Sequence, residues 1–326
     1  MHLDAKFSAR QVRTFRQQLL RWFDREQRRL PWRGEKDPYR ILVSEIMLQQ
    51  TRVAVVEERY KLFLRQFPSV QKLARAREQT VLAAWSGLGY YRRARALHAT
   101  AKKVARDGGF PQGTSALMEL PGVGRYTAAA VASIAYGEAA PVVDGNVKRV
   151  LERITGRRLS EHENWRIAGE LLEPRRAGGF NQAMMELGAL ICVPGEPRCE
   201  RCPVSALCTG HGSVAGHAKM ARRKAVLRYI FAAQNGRVLL QQRPRDASLM
   251  AGMWELPELA GPIPGMQPIA ELRHSITTTD YKVLVYAGTH DCNTGGNWVS
   301  RNKAGRMALT GLAKKILRRI GPFSSS

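Results

Sequence analysis

Four cysteines crowd one short stretch of this chain: Cys192, Cys199, Cys202 and Cys208, in the spacing C-x6-C-x2-C-x5-C. Their thiolates meet only if the intervening chain wraps round a central ion or cluster, so the stretch commits the fold to a tight loop. Zinc accepts four sulfurs, and so does a [4Fe–4S] cluster. The spacing differs from the commonest zinc ribbons and from ferredoxin runs, and by itself leaves both open. Clustering of this kind belongs to a reducing compartment rather than to a secreted disulfide framework. Arg198 and Arg201 lie in the same loop and suit phosphate, whereas Cys292 stands apart as an ordinary residue.

The charge narrows the class of partner. Lys and Arg number 52 against 27 Asp and Glu, a net charge of +25, which favours a polyanion. No apolar run approaches the roughly 20 residues of a membrane span. The start, MHLDAKFSARQVRTF, lacks the apolar stretch of a signal peptide. These features predict a cytoplasmic protein that faces nucleic acid and no membrane.

Residues 1–209 read as helices joined by short breaks. Behind a Ser8 N-cap, Val12, Phe15, Leu19, Trp22 and Phe23 recur at helical spacing. After LPWR, Asp37-Pro38 restarts a helix through ILVSEIMLQQ. Further helices are expected near 69–85, 90–106, 114–119, 125–137, 145–155, 164–173 and 180–191. Residues 210–225 are polar, basic and glycine-containing, and read as a linker. Residues 226–322 change character: Asn235-Gly236 between two apolar runs signals a hairpin, YKVLVYAG is a further strand, and ALTGLAKKILRRI closes with a helix. The expected fold is mainly α, followed by a smaller α+β domain.

Three segments carry candidate chemistry. In LPGVGRYTAAA, Gly122 and Gly124 free the backbone and leave no side chain between peptide N–H groups and a phosphate. The next helix adds its N-terminal dipole, a sequence-blind grip on one strand; a helix C-cap followed by a turn would look similar. Downstream, VVDGNVKR supplies Asp144 and Asn146. Within SEIMLQQT, Glu45 sits on a helix apolar nearly all round, where burial would keep its proton; a helix-surface glutamate would give the same local pattern. Two carboxyl groups in unlike environments can divide an acid role from a charge-stabilising one in breaking a glycosidic bond.

The cysteine spacing, LPGVG and VVDGNVKR together resemble the helix-hairpin-helix superfamily of endonuclease III and the MutY-type adenine DNA glycosylases. LPWR, DPY and SEIMLQQT resemble the signature of the adenine glycosylases. The resemblance implies a two-lobed helical HhH-GPD domain with a structural [4Fe–4S] cluster on Cys192, Cys199, Cys202 and Cys208. It implies that Glu45 protonates adenine, and that Asp144, supported by Asn146, stabilises the oxocarbenium-like sugar, electrostatically or through a transient adduct. The base must first be flipped out of the duplex. Arg28, Leu30, Trp32, Arg33, Gln182 and Glu186 match positions round the adenine pocket, while Gln50, Thr51 and Tyr90 match positions that probe the helix at the lesion. Arg92, Arg93 and Arg95 suit phosphate, and Tyr91 reads as a core aromatic.

Where lyases of the superfamily carry a Schiff-base lysine, this chain has Tyr126. A phenol forms no imine, so a monofunctional hydrolase is expected. The segment RVLLQQRPRDASLMAGMWELPEL resembles the start of a Nudix fold, but no glutamate-rich magnesium helix follows. A lesion-recognition module is therefore expected, not a second enzyme. The family often has Phe-Ser-His after an Arg-His on the strand that meets 8-oxoguanine; here Arg273 and His274 are followed by Ile276, Thr277 and Thr278. Ile276 can still wedge and Thr277 can still hydrogen-bond, with His274 nearby, but the imidazole is lost. The expected protein is a monomeric, nucleoid-associated adenine DNA glycosylase acting on duplexes with A:8-oxoG or A:G mispairs. A thymine mismatch glycosylase and a non-catalytic iron–sulfur DNA-binding protein are the alternatives.

Overall fold

The computed structural model describes residues 7–211, 222–262, 264–276, 278–288 and 295–320. Backbone contacts divide the chain into two compact units: Met1–Ala74 with Ala99–Ala218, and Arg75–His98 with Lys219–Ser326.

Helices dominate the first two-thirds: α1 (Ala9–Glu26), α2 (Pro38–Leu48), α3 (Val53–Gln66), α4 (Val70–Ala74), α5 (Glu78–Ala84) and α6 (Arg92–Arg106). They continue with α7 (Thr114–Met118), α8 (Arg125–Ala135), α9 (Gly145–Ile154), α10 (Glu161–Leu171) and α11 (Ala177–Leu190). The starts follow capping chemistry. Ser8 forms a capping box with Gln11. Asp37 accepts from the Tyr39 N–H with Pro38 behind it, which starts α2. Ser160 and Glu163 form a second capping box, so α10 begins three residues before the expected 164. The helix expected over 69–85 is two, because the chain turns extended at Arg77 between α4 and α5.

The first unit packs α1, α8, α9 and α11 round one core, with Phe15 and Phe180 ring to ring at 6.2 Å. Helix α8 is built largely of alanine, and Gly178 of α11 lies so near it that a Cβ there would stand 2.6 Å from the Ser133 carbonyl. Helix α2 is buried from Ile41 to Met47, so whatever polar group it carries is held away from water.

The second unit carries β1 (Arg223–Phe231), β2 (Ala233–Gln234), β3 (Arg237–Gln242), β4 (Trp254–Glu255), β5 (Ala270–Ile276), β6 (Thr279–Ala287) and β7 (Asn297–Ser300). Helices α12 (Arg301–Gly305) and α13 (Gly311–Ile320) close it. One sheet orders β1-β6-β5, with β1 parallel and β5 antiparallel to β6; in the other, β3 pairs antiparallel with β2, β4 and β7. The Asn235-Gly236 turn forms, both residues at positive φ, and joins β2 to β3. The first apolar run of the expected hairpin leaves it: β1 pairs with β6 instead. Residues 75–98, read from the sequence as part of the helical domain, make their contacts here. Gln79 Nε2 donates to the Gly252 carbonyl at 3.1 Å, and Arg95 donates to that of Ala251. Among the described residues, no helix is long and apolar enough to cross a membrane.

Candidate active site

A cavity of about 700 Å³ opens in the first unit, and its chemistry comes from α2, α8, α9, α11 and the turn before α2. Glu45 projects from α2 and is 5% exposed. Burial pushes its carboxyl up to about 7, and Asp144 adds to this, while the Tyr126 hydroxyl and Arg33 oppose it. Tyr126, on the first turn of α8, places its hydroxyl 2.7 Å from Glu45 Oε2 and 3.2 Å from Met185 Sδ. Burial, then the neighbouring carboxyls, raise that phenol well above its ordinary range, so it keeps its proton.

Asp144 is the N-cap of α9, its Oδ1 accepting from the Val147 N–H at 2.7 Å and its Oδ2 from Asn146 Nδ2 at 3.0 Å. Burial raises its carboxyl; those donors and Arg149 pull the other way, and the helix N-terminus also favours the anion. The local sequence fixes this cap. Asn181 of α11 donates to the Ala140 carbonyl at 2.8 Å and accepts from the Val142 N–H at 3.3 Å, which holds the extended approach to Asp144. Arg149 Nη2 donates to Asn146 Oδ1 at 2.9 Å, which turns the Asn146 amide nitrogen towards Asp144. Its Nε reaches the Cys192 carbonyl at 2.7 Å.

Opposite, Glu186 of α11 is buried between two cations. Arg28 donates to both of its oxygens at 2.8 and 2.7 Å, and Arg33 donates to Oε2 at 2.7 Å and to the side-chain amide oxygen of Gln182. These contacts outweigh burial and hold Glu186 below the usual carboxylate range. Leu30 and Trp32 complete that wall, Trp32 packed edge-on to Tyr60. Gln50, at φ 55, and Thr51 lie at the end of α2 on the same cavity.

Twelve residues expected at the site, including all four catalytic candidates, therefore line one cavity. Sequence reasoning singled out neither Met185, indistinguishable in sequence from its core neighbour Met184, nor Arg149 of the VVDGNVKR segment. The hairpin glycines lie on the same unit at the α7–α8 turn, and here the expectation needs correction. Gly122 adopts φ 73, but Gly124 is extended at φ −87, a conformation open to any residue. Its bareness matters otherwise: as N-cap of α8 it offers no side-chain hydrogen bond, and the first N–H groups of the helix stay uncapped.

The four cysteines line a second cavity with Arg153 and Val204. Burial foremost, and then the neighbouring cysteine sulfurs, raise the Cys199 and Cys202 thiols, Cys202 to about 11. Arg153 staples the loop, donating to Cys192 Sγ at 3.4 Å and to the Val193 and Gly195 carbonyls at 2.8 and 3.0 Å. Among the described residues no three His, Cys, Asp or Glu side chains stand close enough for a single ion. Four thiol side chains on one cavity are a donor set suited to a thiolate-bound group.

The remaining candidates belong to the second unit. Tyr90 is 46% exposed at φ 47, with the Arg93 guanidinium over its ring. Tyr91 is a core residue as expected. His274 and Ile276 are partly buried on β5, and Ile276 pairs with Thr279. Thr277, Cys292 and most of the expected linker lie outside the described residues.

Residues 43–173 match the model of the HhH-GPD superfamily base excision DNA repair proteins. The adenine DNA glycosylase of Mus musculus is 33% identical, over 94% of this chain and 78% of its own length. That of Arabidopsis thaliana is 39% identical over 78% of this chain and 48% of its own length. Among solved structures, a thermostable thymine-DNA glycosylase superposes with a TM-score of 0.59 at 31% identity, covering 63% of this chain and 98% of that one.

Proposed function

The chain belongs to the adenine DNA glycosylases of the HhH-GPD superfamily, and on that premise we propose that it hydrolyses the N-glycosidic bond of adenine mispaired with 8-oxoguanine or guanine in duplex DNA. The observation that carries this reading is the pair of unlike carboxyls on one cavity. Glu45 titrates near 7 for want of solvent, and Asp144 is held by Val147, Asn146 and a helix N-terminus. Adenine flipped into the cavity receives the Glu45 proton as the bond breaks, which makes the base a neutral leaving group. The Asp144 carboxylate faces the positive charge that develops on the sugar, and water completes the hydrolysis. Arg28, Arg33, Gln182 and Glu186 form a fixed polar wall for the base edge, with Leu30 and Trp32 as its apolar surround.

None of the described residues that line the cavity is a lysine, which supports base removal without a Schiff base. Gly122 and Gly124 present the α8 N-terminus to a phosphate, and Gln50, Thr51 and Tyr90 meet the duplex. Cys192, Cys199, Cys202 and Cys208 would hold a [4Fe–4S] cluster, which would order the loop bearing Arg198 and Arg201 and take no part in the hydrolysis. The C-terminal module reads 8-oxoguanine through His274, Ile276 and Thr277. The protein acts as a monomer in the cytoplasm, at the nucleoid. A thymine glycosylase is the poorer reading, because that likeness extends over 63% of the chain against 94% for the mouse adenine glycosylase.

The test is product identity. Incubation with an A:8-oxoG duplex should release free adenine, identified by mass spectrometry, and borohydride should trap no protein–DNA adduct. Iron and inorganic sulfide should be present in equal amounts. Release of another base, or a trapped adduct, would contradict the assignment.

A further inference from the structure

The Tyr126 hydroxyl has one hydrogen and two partners. Glu45 Oε2 lies 2.7 Å away and Met185 Sδ 3.2 Å away, within reach for a sulfur acceptor. Which partner takes the hydrogen depends on where the Glu45 proton is. With Glu45 ionised, the hydroxyl donates to the carboxylate, the stronger charge-assisted bond. With Glu45 neutral, a second arrangement opens: Glu45 Oε2–H donates to the Tyr126 oxygen, and Tyr126 passes its own hydrogen to sulfur. The Glu45 proton and the Tyr126 hydroxyl hydrogen then each have an acceptor.

We propose that Met185 is a positioning residue for the acid proton: its sulfur accepts the Tyr126 hydroxyl hydrogen while Glu45 is neutral and releases it when Glu45 ionises. The inference rests on the reading of Glu45 as general acid. As the carboxyl turns and hands its proton to the leaving base, the hydroxyl swings from Met185 to the new carboxylate. Tyr126 keeps its own proton throughout and changes only its acceptor, so one proton moves from Glu45 to adenine and nothing else is transferred. The sulfur thereby stabilises the loaded acid without competing for the proton, as a basic side chain would. The other groups facing Glu45 are Asp144 from α9 and Arg33 from the turn before α2, whose charge Glu186 on α11 shares with Arg28. None of these changes partner in the exchange.

Met185→Leu keeps the volume and removes the acceptor; Met185→Gln restores an acceptor on a side chain of similar length. Two readouts are needed in each: the titration of the Glu45 carboxyl in the free enzyme by infrared difference spectroscopy, and the pH profile of single-turnover adenine release. In Met185→Leu the neutral acid loses one of its two bonded arrangements, so the titration midpoint should fall by about half a pH unit. Release should then slow about threefold above the midpoint and stay unchanged well below it. Met185→Gln should restore both, and in a Tyr126→Phe background the leucine substitution should move neither. An unmoved midpoint, or a loss equal at every pH, would overturn the proposal. A midpoint that shifts while the rate profile stays put would uphold the sulfur's role and overturn Glu45 as the acid.

Discussion

At the scale of single residues, the proposed reaction turns on Glu45 keeping a proton that an exposed glutamate would lose. Lifting its carboxyl from 4.5 to about 7 corresponds to roughly 3 kcal/mol against the ionised form. The acid is the protonated state, so single-turnover release should be fastest below about pH 7 and fall as pH rises through that value. Glu45→Gln removes the proton donor and should slow release by about 10²–10⁴-fold while duplex binding persists. A pH profile of the wild type and a binding isotherm of the variant check both. Glu45, Asp144 and Tyr126 were legible in the sequence because each sits in a motif that dictates its setting. Met185 was not. Consecutive helical residues point about 100° apart, so Met184 enters the core while Met185 meets the cavity, and nothing in the letters distinguishes them.

At the scale of elements, the site depends on close approaches between helices. Asn146 lies against α11 at Gly188, where a Cβ would stand 2.7 Å from the Asn146 Cβ and 2.9 Å from its carbonyl oxygen. Gly188→Ala must push α9 and its N-cap Asp144 away, so adenine release should drop by at least tenfold with Glu45 untouched; single-turnover kinetics measure it. The hairpin offers a contrast within one motif. Gly122→Ala places a side chain at φ 73 and should lower unfolding free energy by about 1–2 kcal/mol in urea. Gly124→Ala meets an extended backbone and open space, so stability should stay within about 1 kcal/mol of wild type while duplex affinity falls. Sequence reasoning gave both glycines one role, because spacing shows where a turn lies but not the dihedral angles within it. Helix starts at Ser8 and Asp37 were readable from their caps, whereas the break between α4 and α5 carries no glycine or proline to announce it.

At the scale of the molecule, +25 of net charge is a field for a polyanion, and duplex affinity should fall steeply with added salt. The change of composition near residue 210 was plain in the sequence. That residues 75–98 belong by contact with the C-terminal unit was not, because the bonds of Gln79 and Arg95 run to backbone carbonyls of Gly252 and Ala251, which leave no trace in residue identity. In the proposed function, the C-terminal module reads the lesion. Replacing His274 and Ile276 together by alanine should therefore lower the preference for A:8-oxoG over A:G by about tenfold or more, with the A:G rate little changed. The central claim is that this chain removes adenine and stops there. Single-turnover cleavage of duplexes carrying A:8-oxoG, A:G, A:C and T:G tests it most directly. The account predicts fastest adenine loss opposite 8-oxoguanine, with strand scission only after alkali; preferential release of thymine, or scission without alkali, would contradict it.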